Sequence, residues 1–221
     1  TPALSLAAFM ITRMGSRTKL VLPDSTVVWL NAGSKLTYDE QFGINNRNTT
    51  LSGEAFFDVK KSSIPFHIQA GTVQIKVMGT AFNVKSYPNE KTTETSLVRG
   101  SVEVTLQKRP GVKFTLKPNE KLVVSNEEAP EKLKPSRNRD PLFVLGNLTH
   151  ARDNSIIETS WVENKLIFED ESFAQIAIKL ERWYGYEIEF KNDRIANERM
   201  SGSFTTENIQ EALERLQMTT P

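Results

Sequence analysis

Short runs of β-branched and aromatic residues, broken by turn chemistry every 8 to 12 positions, fill the chain from residue 19 to about residue 125. That rhythm predicts an all-β domain, and helical periodicity is missing from it. Thr18-Lys19-Leu20-Val21-Leu22 runs into Pro23-Asp24-Ser25 and continues as Thr26-Val27-Val28-Trp29-Leu30. It reads as a hairpin, because Pro presets φ and Asp closes the turn with its own side chain. Phe66-His67-Ile68-Gln69-Ala70, Val73-Gln74-Ile75-Lys76-Val77 and Val102-Glu103-Val104-Thr105-Leu106 alternate apolar and polar positions. Each is expected to bury one face and wet the other.

Three of these runs pass through a single glycine: Gly53, Gly79 and Gly100. A strand that meets one Gly and continues as strand suggests a sharp corner. Corners recurring at such intervals fit the stacked rungs of a β-solenoid and the bent strands of a β-sandwich, and both architectures stay open.

The pattern changes after residue 125. Residues 126–160, rich in charge and proline up to Pro141, read as an extended connector. Phe143-Val144-Leu145-Gly146 and Ile156-Ile157 within it are apolar enough to dock on a neighbour. From Trp161 the order becomes strand, helix, strand, strand, helix. Ser172 with Gln175 forms a capping-box pair, Phe173, Ile176, Ala177, Leu180, Trp183 and Tyr184 fall at helical spacing, and Gly185 stands where a left-handed C-cap belongs. The strands are expected at residues 165–168, 186–190 and 200–204. A second helix follows a Thr206 N-cap, with Ile209, Ala212, Leu213 and Leu216 as its buried face. The fold class is therefore mainly β with a second α+β domain: residues 1–125 all-β, 126–160 connector, 161–221 a small β-α-β-β-α domain.

Charge follows the same division. The three parts carry 16, 5 and 7 basic residues against 9, 6 and 12 acidic ones, so a first part at +7 precedes a last part at −5. This distribution lacks the dense basic face with interleaved aromatics that nucleic acids require. The 221 residues contain no cysteine, which excludes disulfides, thiolate nucleophiles and Cys-type zinc sites. The longest apolar stretch, residues 3–11, is about half of what a membrane-spanning helix needs. The chain opens at Thr1, and an anchor or export signal is expected upstream of it.

Reactive groups are sparse. His67 alternates out of phase with Phe66 and Ile68 on a strand, and His150 lies in the connector. Asp39-Glu40 and Asp170-Glu171 are adjacent pairs whose members point apart, better suited to turns and helix starts than to acid and base work. No phosphate-cradling loop, HExxH or GxSxG occurs, so neither enzymatic activity, a metal nor a cofactor is expected. Trp29 and Tyr38 carry an alternative: a carbohydrate-binding or adhesion-type β module that stacks sugars on exposed aromatics.

Residues 22–38, from Leu22-Pro23-Asp24-Ser25 through Trp29-Leu30-Asn31-Ala32-Gly33-Ser34-Lys35-Leu36-Thr37-Tyr38, resemble the opening of the FecR domain. The common form has Gly where this chain has Ser25, and a non-Gly residue disfavours a positive φ there. Gly53-Glu54-Ala55-Phe56-Phe57-Asp58-Val59, Pro65-Phe66, Val77-Met78-Gly79-Thr80-Ala81-Phe82-Asn83-Val84 and Leu97-Val98-Arg99-Gly100-Ser101-Val102 are similar to its later motifs, in order and spacing. Leu166-Ile167-Phe168-Glu169-Asp170-Glu171-Ser172-Phe173, Leu180-Glu181-Arg182-Trp183-Tyr184-Gly185, Ser201-Gly202-Ser203-Phe204 and Ile209-Gln210-Glu211-Ala212-Leu213 resemble the domain that follows in regulators of the Bacteroidetes type, itself similar to the short N-terminal domain of secretins and TonB-dependent transducers.

The resemblance implies the periplasmic region of a single-pass inner-membrane anti-sigma factor. Its cytoplasmic domain, absent from this chain, would hold an extracytoplasmic-function sigma factor. Its periplasmic region would sense the signalling domain of an outer-membrane TonB-dependent transporter. Family members continue past the equivalent of Pro221 into a final pair of strands, so the last sheet is expected to have an open edge. The partner-binding residues expected around that edge are Tyr186, Glu187, Ile188, Glu189 and Phe190 on one strand and Met200, Ser201, Gly202, Ser203 and Phe204 on the next. Backbone pairing would supply affinity there, and Glu187 and Glu189 would favour a basic partner.

Overall fold

A computed structural model of the chain describes residues 8–107, 109–126, 142–191 and 193–218; residues 127–141 of the expected connector lie outside that set. Contacts divide the chain into two units. One comprises Thr1–Ile11, Thr18–Leu30 and Ser34–Leu148, and the other comprises Thr12–Arg17, Asn31–Gly33 and Thr149–Pro221.

The first unit is all β. Its strands are β1 (Ala8–Ile11), β2 (Thr18–Val21), β3 (Val27–Leu30), β4 (Lys35–Tyr38), β5 (Asn48–Asp58), β6 (Phe66–Ala70), β7 (Val73–Val77), β8 (Ala81–Ser86), β9 (Thr92–Arg99), β10 (Val102–Leu106), β11 (Arg109–Leu116), β12 (Glu120–Ser125) and β13 (Phe143–Asn147). They form one curled sheet in two halves that share the long strand β5. The first half runs β1-β4-β5-β6-β7-β10-β11 and the second β2-β3-β5-β8-β9-β12-β13. Every pairing is antiparallel except β5 with β6.

The strand passes from one half to the other at Gly53. Its φ is +105°, and a Cβ there would lie 2.3 Å from Ser34 Oγ, so only glycine fits the corner. Gly79 is constrained differently: no left-handed backbone is needed, but a Cβ would meet Lys61 Cα at 2.8 Å. The glycines expected at corners thus answer to two requirements, backbone conformation and close approach.

Between the halves lies one apolar core. Leu36, Leu51, Ile68, Ile75, Val104 and Leu116 come from the first half, and Val28, Leu30, Phe57, Phe82, Leu97 and Leu122 from the second. Phe57 and Phe82 stack at 5.4 Å, and Phe114 of β11 meets Phe143 of β13 at 4.7 Å, joining the far strands of the two halves. Facing halves around a shared core make this a sandwich-like curled sheet and not a stack of rungs.

The hairpin at Pro23 departs from expectation in one respect. Ser25 adopts φ +69°, the left-handed conformation that a side chain disfavours. Surrounding bonds impose it: the Leu22 N–H donates to Thr26 O at 2.8 Å, the Ser25 N–H to Leu22 O at 2.9 Å, and the Thr26 N–H to Asp24 Oδ1 at 2.9 Å. Asp24 is in turn held by the buried Arg47, whose Nη1 donates to Asp24 Oδ2 at 3.0 Å and to Lys60 O at 2.8 Å.

The second unit has a two-stranded antiparallel sheet, β14 (Leu166–Ser172) with β15 (Arg199–Phe204), preceded by a 3-10 helix over Ile157–Glu163. Its helices are α1 (Phe173–Tyr184), the single turn α2 (Asp193–Ala196) and α3 (Ile209–Met218). The capping box of Ser172 and Gln175 is formed, and Gly185 closes α1 in the left-handed conformation at φ +79°. Leu166, Phe168, Ile176, Leu180, Phe204, Ala212 and Leu216 make a second core.

Three expectations need correction here. Residues 186–190 form no strand, because no described segment pairs with them and an extended backbone becomes a ladder only when it has a partner. Leu213 is 43% exposed, since the turn of α3 that reaches the sheet is carried by Ala212 and Leu216. The cap of α3 is Asn208 and not Thr206: the Glu211 N–H donates to Asn208 Oδ1 at 3.0 Å, and the Asn208 N–H donates back to Glu211 Oε2 at 3.0 Å.

Candidate partner-binding surface

The sheet of the second unit has two faces and two edges, and only some of them are occupied. Alternation sets the faces. Leu166 and Phe168 of β14 and Phe204 of β15 point into the core, while Ile167 pairs with Ser203 on the opposite face. On that opposite face Ile167, Glu169, Ser201 and Ser203 line a shallow groove of about 290 Å³ with Ala151, Arg152, Asp153 and Lys165. Lys165 Nζ donates to Asp153 Oδ2 at 2.5 Å and to Ser155 Oγ at 3.0 Å, fastening the turn at residues 151–155 beside the sheet. The Lys165 bond holds the Asp153 carboxyl well below the usual carboxylate range.

The edges follow from the hydrogen-bond register. The Ile167 carbonyl accepts from Lys179 Nζ at 3.3 Å and the Lys165 carbonyl from Ser160 Oγ at 3.0 Å, so both point away from β15 and the outer edge of β14 is already capped. Ile167 is therefore a non-hydrogen-bonded partner of Ser203, and on β15 it is Ser201 and Ser203 whose backbone groups point outward. Among the described residues no strand pairs with that edge. At its start, Arg199 Nε donates to Asp170 Oδ1 at 2.8 Å across a bulge between Phe168 and Glu171, which keeps the Asp170 carboxyl below its ordinary value.

The ten residues expected to meet a partner are not equivalent. Phe204 is core, Gly202 lies under the Phe168 ring, and Met200 and Ile188 pack partly buried against the same core. Ser201 and Ser203 are exposed on the open edge, and the Ser201 hydroxyl accepts from the Asp170 N–H at 2.8 Å. Tyr186, Glu187 and Glu189 are exposed and Phe190 is half-buried, on a segment tied down where the Ile188 N–H donates to Glu181 Oε1 at 2.9 Å. Sequence reasoning missed the groove wall at residues 151–153. The only local sign of it is the turn-forming run Asp153-Asn154-Ser155, where Asn154 takes φ +64°.

This geometry lies in a region that known proteins share. The family model described as FecR, C-terminal, matches residues 165–221, which include all ten of these positions, and the model described as FecR protein matches residues 8–103. The chain belongs to the FecR family. Two crystal structures of a candidate anti-sigma factor from Parabacteroides distasonis ATCC 8503 are similar to it. Each has a TM-score of 0.78 at 27% identity; one match covers 97% of this chain and 92% of that one, the other 96% and 92%. No curated protein matches the sequence.

In this FecR-family chain the remaining polar and aromatic candidates have structural occupations. His67 lies half-buried on the outer face of β6 beside Lys76, and burial followed by the Lys76 charge lowers its pKa. His150 belongs to the other unit and makes an isolated bridge with Ile156. Asp39 accepts from the Gln41 N–H, Asp170 from Arg199, and Glu171 from Lys179 at 2.5 Å. Trp29 is flanked edge-on by Phe56 at 5.6 Å and covered by Lys19 at 4.6 Å, and Tyr38 leans on Phe42 at 5.2 Å. Among the described residues no group of three or more His, Cys, Asp or Glu could hold a metal.

Proposed function

We propose that this chain is the periplasmic signal-receiving region of an anti-sigma factor, relaying a signal from an outer-membrane TonB-dependent transporter to a cytoplasmic extracytoplasmic-function sigma factor. The two FecR family matches, in this order, and the likeness to a candidate anti-sigma factor support a regulator that works through protein contacts. No helix among the described residues is long and apolar enough to cross a membrane, so signal transfer to the cytoplasm would need a span elsewhere in the protein.

The open edge of β15 carries the reading of how the signal is received. Outward backbone groups of Ser201 and Ser203 would pair with a strand of the transporter's signalling domain, giving affinity with little demand on side chains. Selectivity would come from Glu187 and Glu189, both exposed, through faster encounter with a basic partner and rejection of acidic ones. Titration of the 221-residue chain with that signalling domain tests the assignment. Ser203→Pro removes one outward donor without touching a bond to β14, and is expected to weaken binding at least about tenfold. Glu187→Lys with Glu189→Lys is expected to weaken it at low salt and little at high salt. Unchanged affinity in Ser203→Pro, with the fold intact by circular dichroism, would place the receiving surface elsewhere.

A further inference from the structure

The first strand of the β unit leaves much apolar surface exposed. All four residues of β1 are exposed, with Phe9 at 63% and Ile11 at 56%. Among the described residues the strand pairs only with β4, in the register Phe9 with Thr37 and Ile11 with Lys35. Alternation therefore sends Phe9 and Ile11 out from the same outer face of the sheet, while Met10, opposite the buried Leu36, leans toward the core rim. On that face the next two strands present Lys35, Thr37, Thr50 and Ser52, with no carboxylate among them. Lys35 Nζ stands 5.5 Å from the centre of the Phe9 ring. Along the sequence the strand leads to Arg13, Arg17 and Lys19, and no acidic residue occurs before Asp24.

We infer that β1 is a lipid-contacting strand, which lays Phe9 and Ile11 into the interfacial layer of an anionic bilayer while Lys35 meets the headgroups. An aromatic and an aliphatic side chain projecting together, with cationic and hydroxyl groups and no carboxylate at the paired positions of β4 and β5 on that face, match the layered chemistry of such a surface. The unpaired backbone edge of β1 does not prevent this. Only the two side chains need to enter, and the edge stays at headgroup depth, where water and phosphate oxygens satisfy its donors. Charge complementarity favours anionic lipid over a second copy of the strand, because Lys35 finds its counter-charge in the headgroups, whereas a second copy brings another Lys35 and no carboxylate on the paired positions of this face.

Co-sedimentation of the 221-residue chain with phosphatidylcholine vesicles, made with and without phosphatidylglycerol, tests the inference. Binding is expected with the anionic lipid, reduced by salt, and much weaker without it. Phe9→Ser with Ile11→Ser, both on an exposed strand, should lower the partition coefficient about tenfold or more, and Lys35→Glu should lower it severalfold. No binding to the anionic vesicles would overturn the inference, as would binding that the double variant leaves unchanged. Concentration-dependent dimerisation lost in Phe9→Ser with Ile11→Ser, in a protein that ignores vesicles, would overturn it in favour of a second copy at this edge.

Discussion

Arg47 is the largest fully buried side chain among the described residues, and the hairpin at Pro23 depends on it. Its side chain is 2% exposed and that of its partner Asp24 is 8% exposed. Besides the 3.0 Å pair with Asp24, its Nη1 donates to Lys60 O at 2.8 Å and its Nε to Ile64 O at 2.9 Å, while the guanidinium lies 5.5 Å from the Phe66 ring centre. One side chain thereby joins the turn, the chain that follows β5 and the start of β6. Arg47→Met keeps the volume of the stem but leaves Asp24 buried without its counter-charge and two carbonyls without their donor. Breaking a buried pair by removing one partner costs about 3–5 kcal/mol. With a urea dependence of about 2–3 kcal/mol/M for a chain of this size, the midpoint should fall by about 1–2.5 M. Urea denaturation followed by far-UV circular dichroism measures this, with Arg47→Lys as a control that keeps the charge and loses the fork. Asp24→Asn should cost less by itself, and the double variant should be more stable than the two losses predict, by at least about 1 kcal/mol. A loss below about 1 kcal/mol for Arg47→Met, or strict additivity, would refute the claim that the pair is buried and coupled.

Leu180→Ala should cost about 2–5 kcal/mol, because Leu180 is 2% exposed in the second core, while Leu213→Ala at 43% exposure should cost under about 0.5 kcal/mol; denaturation of both variants checks the assignment of the α3 faces. Ser25→Gly should raise the unfolding free energy by about 0.5–1 kcal/mol, since glycine relieves the φ +69° strain at an exposed site, and a destabilised variant would show that the serine is held by contacts. His67, pushed below 6.5 by burial and then by Lys76, is protonated more readily in the unfolded chain. Stability should therefore fall as pH drops below about 6.5 and level off below the folded value, and His67→Gln should reduce that slope in urea titrations between about pH 7.5 and 5.

Much of this protein is decided locally, and there the sequence suffices. Alternation in β6, β7 and β10 is set by neighbours one and two residues apart, as is the hairpin at Pro23-Asp24. The capping box at Ser172, the stripe of α1 and the closing Gly185 likewise need nothing beyond a few turns of chain. The motifs that mark the FecR family are of this kind too, which is why the family was legible before the fold. Tertiary structure alone decided what depends on distant partners. Residues 186–190 alternate as a strand should, yet no described segment pairs with them and they make no ladder. Ser25 takes a conformation its side chain opposes because Thr26, Leu22 and the Asp24–Arg47 pair over-determine the turn. The open edge of β15 and the capped edge of β14 differ only in where Lys179 and Ser160 reach. Alternation tells a residue which face it takes; which edge is left open is settled by what else folds against it.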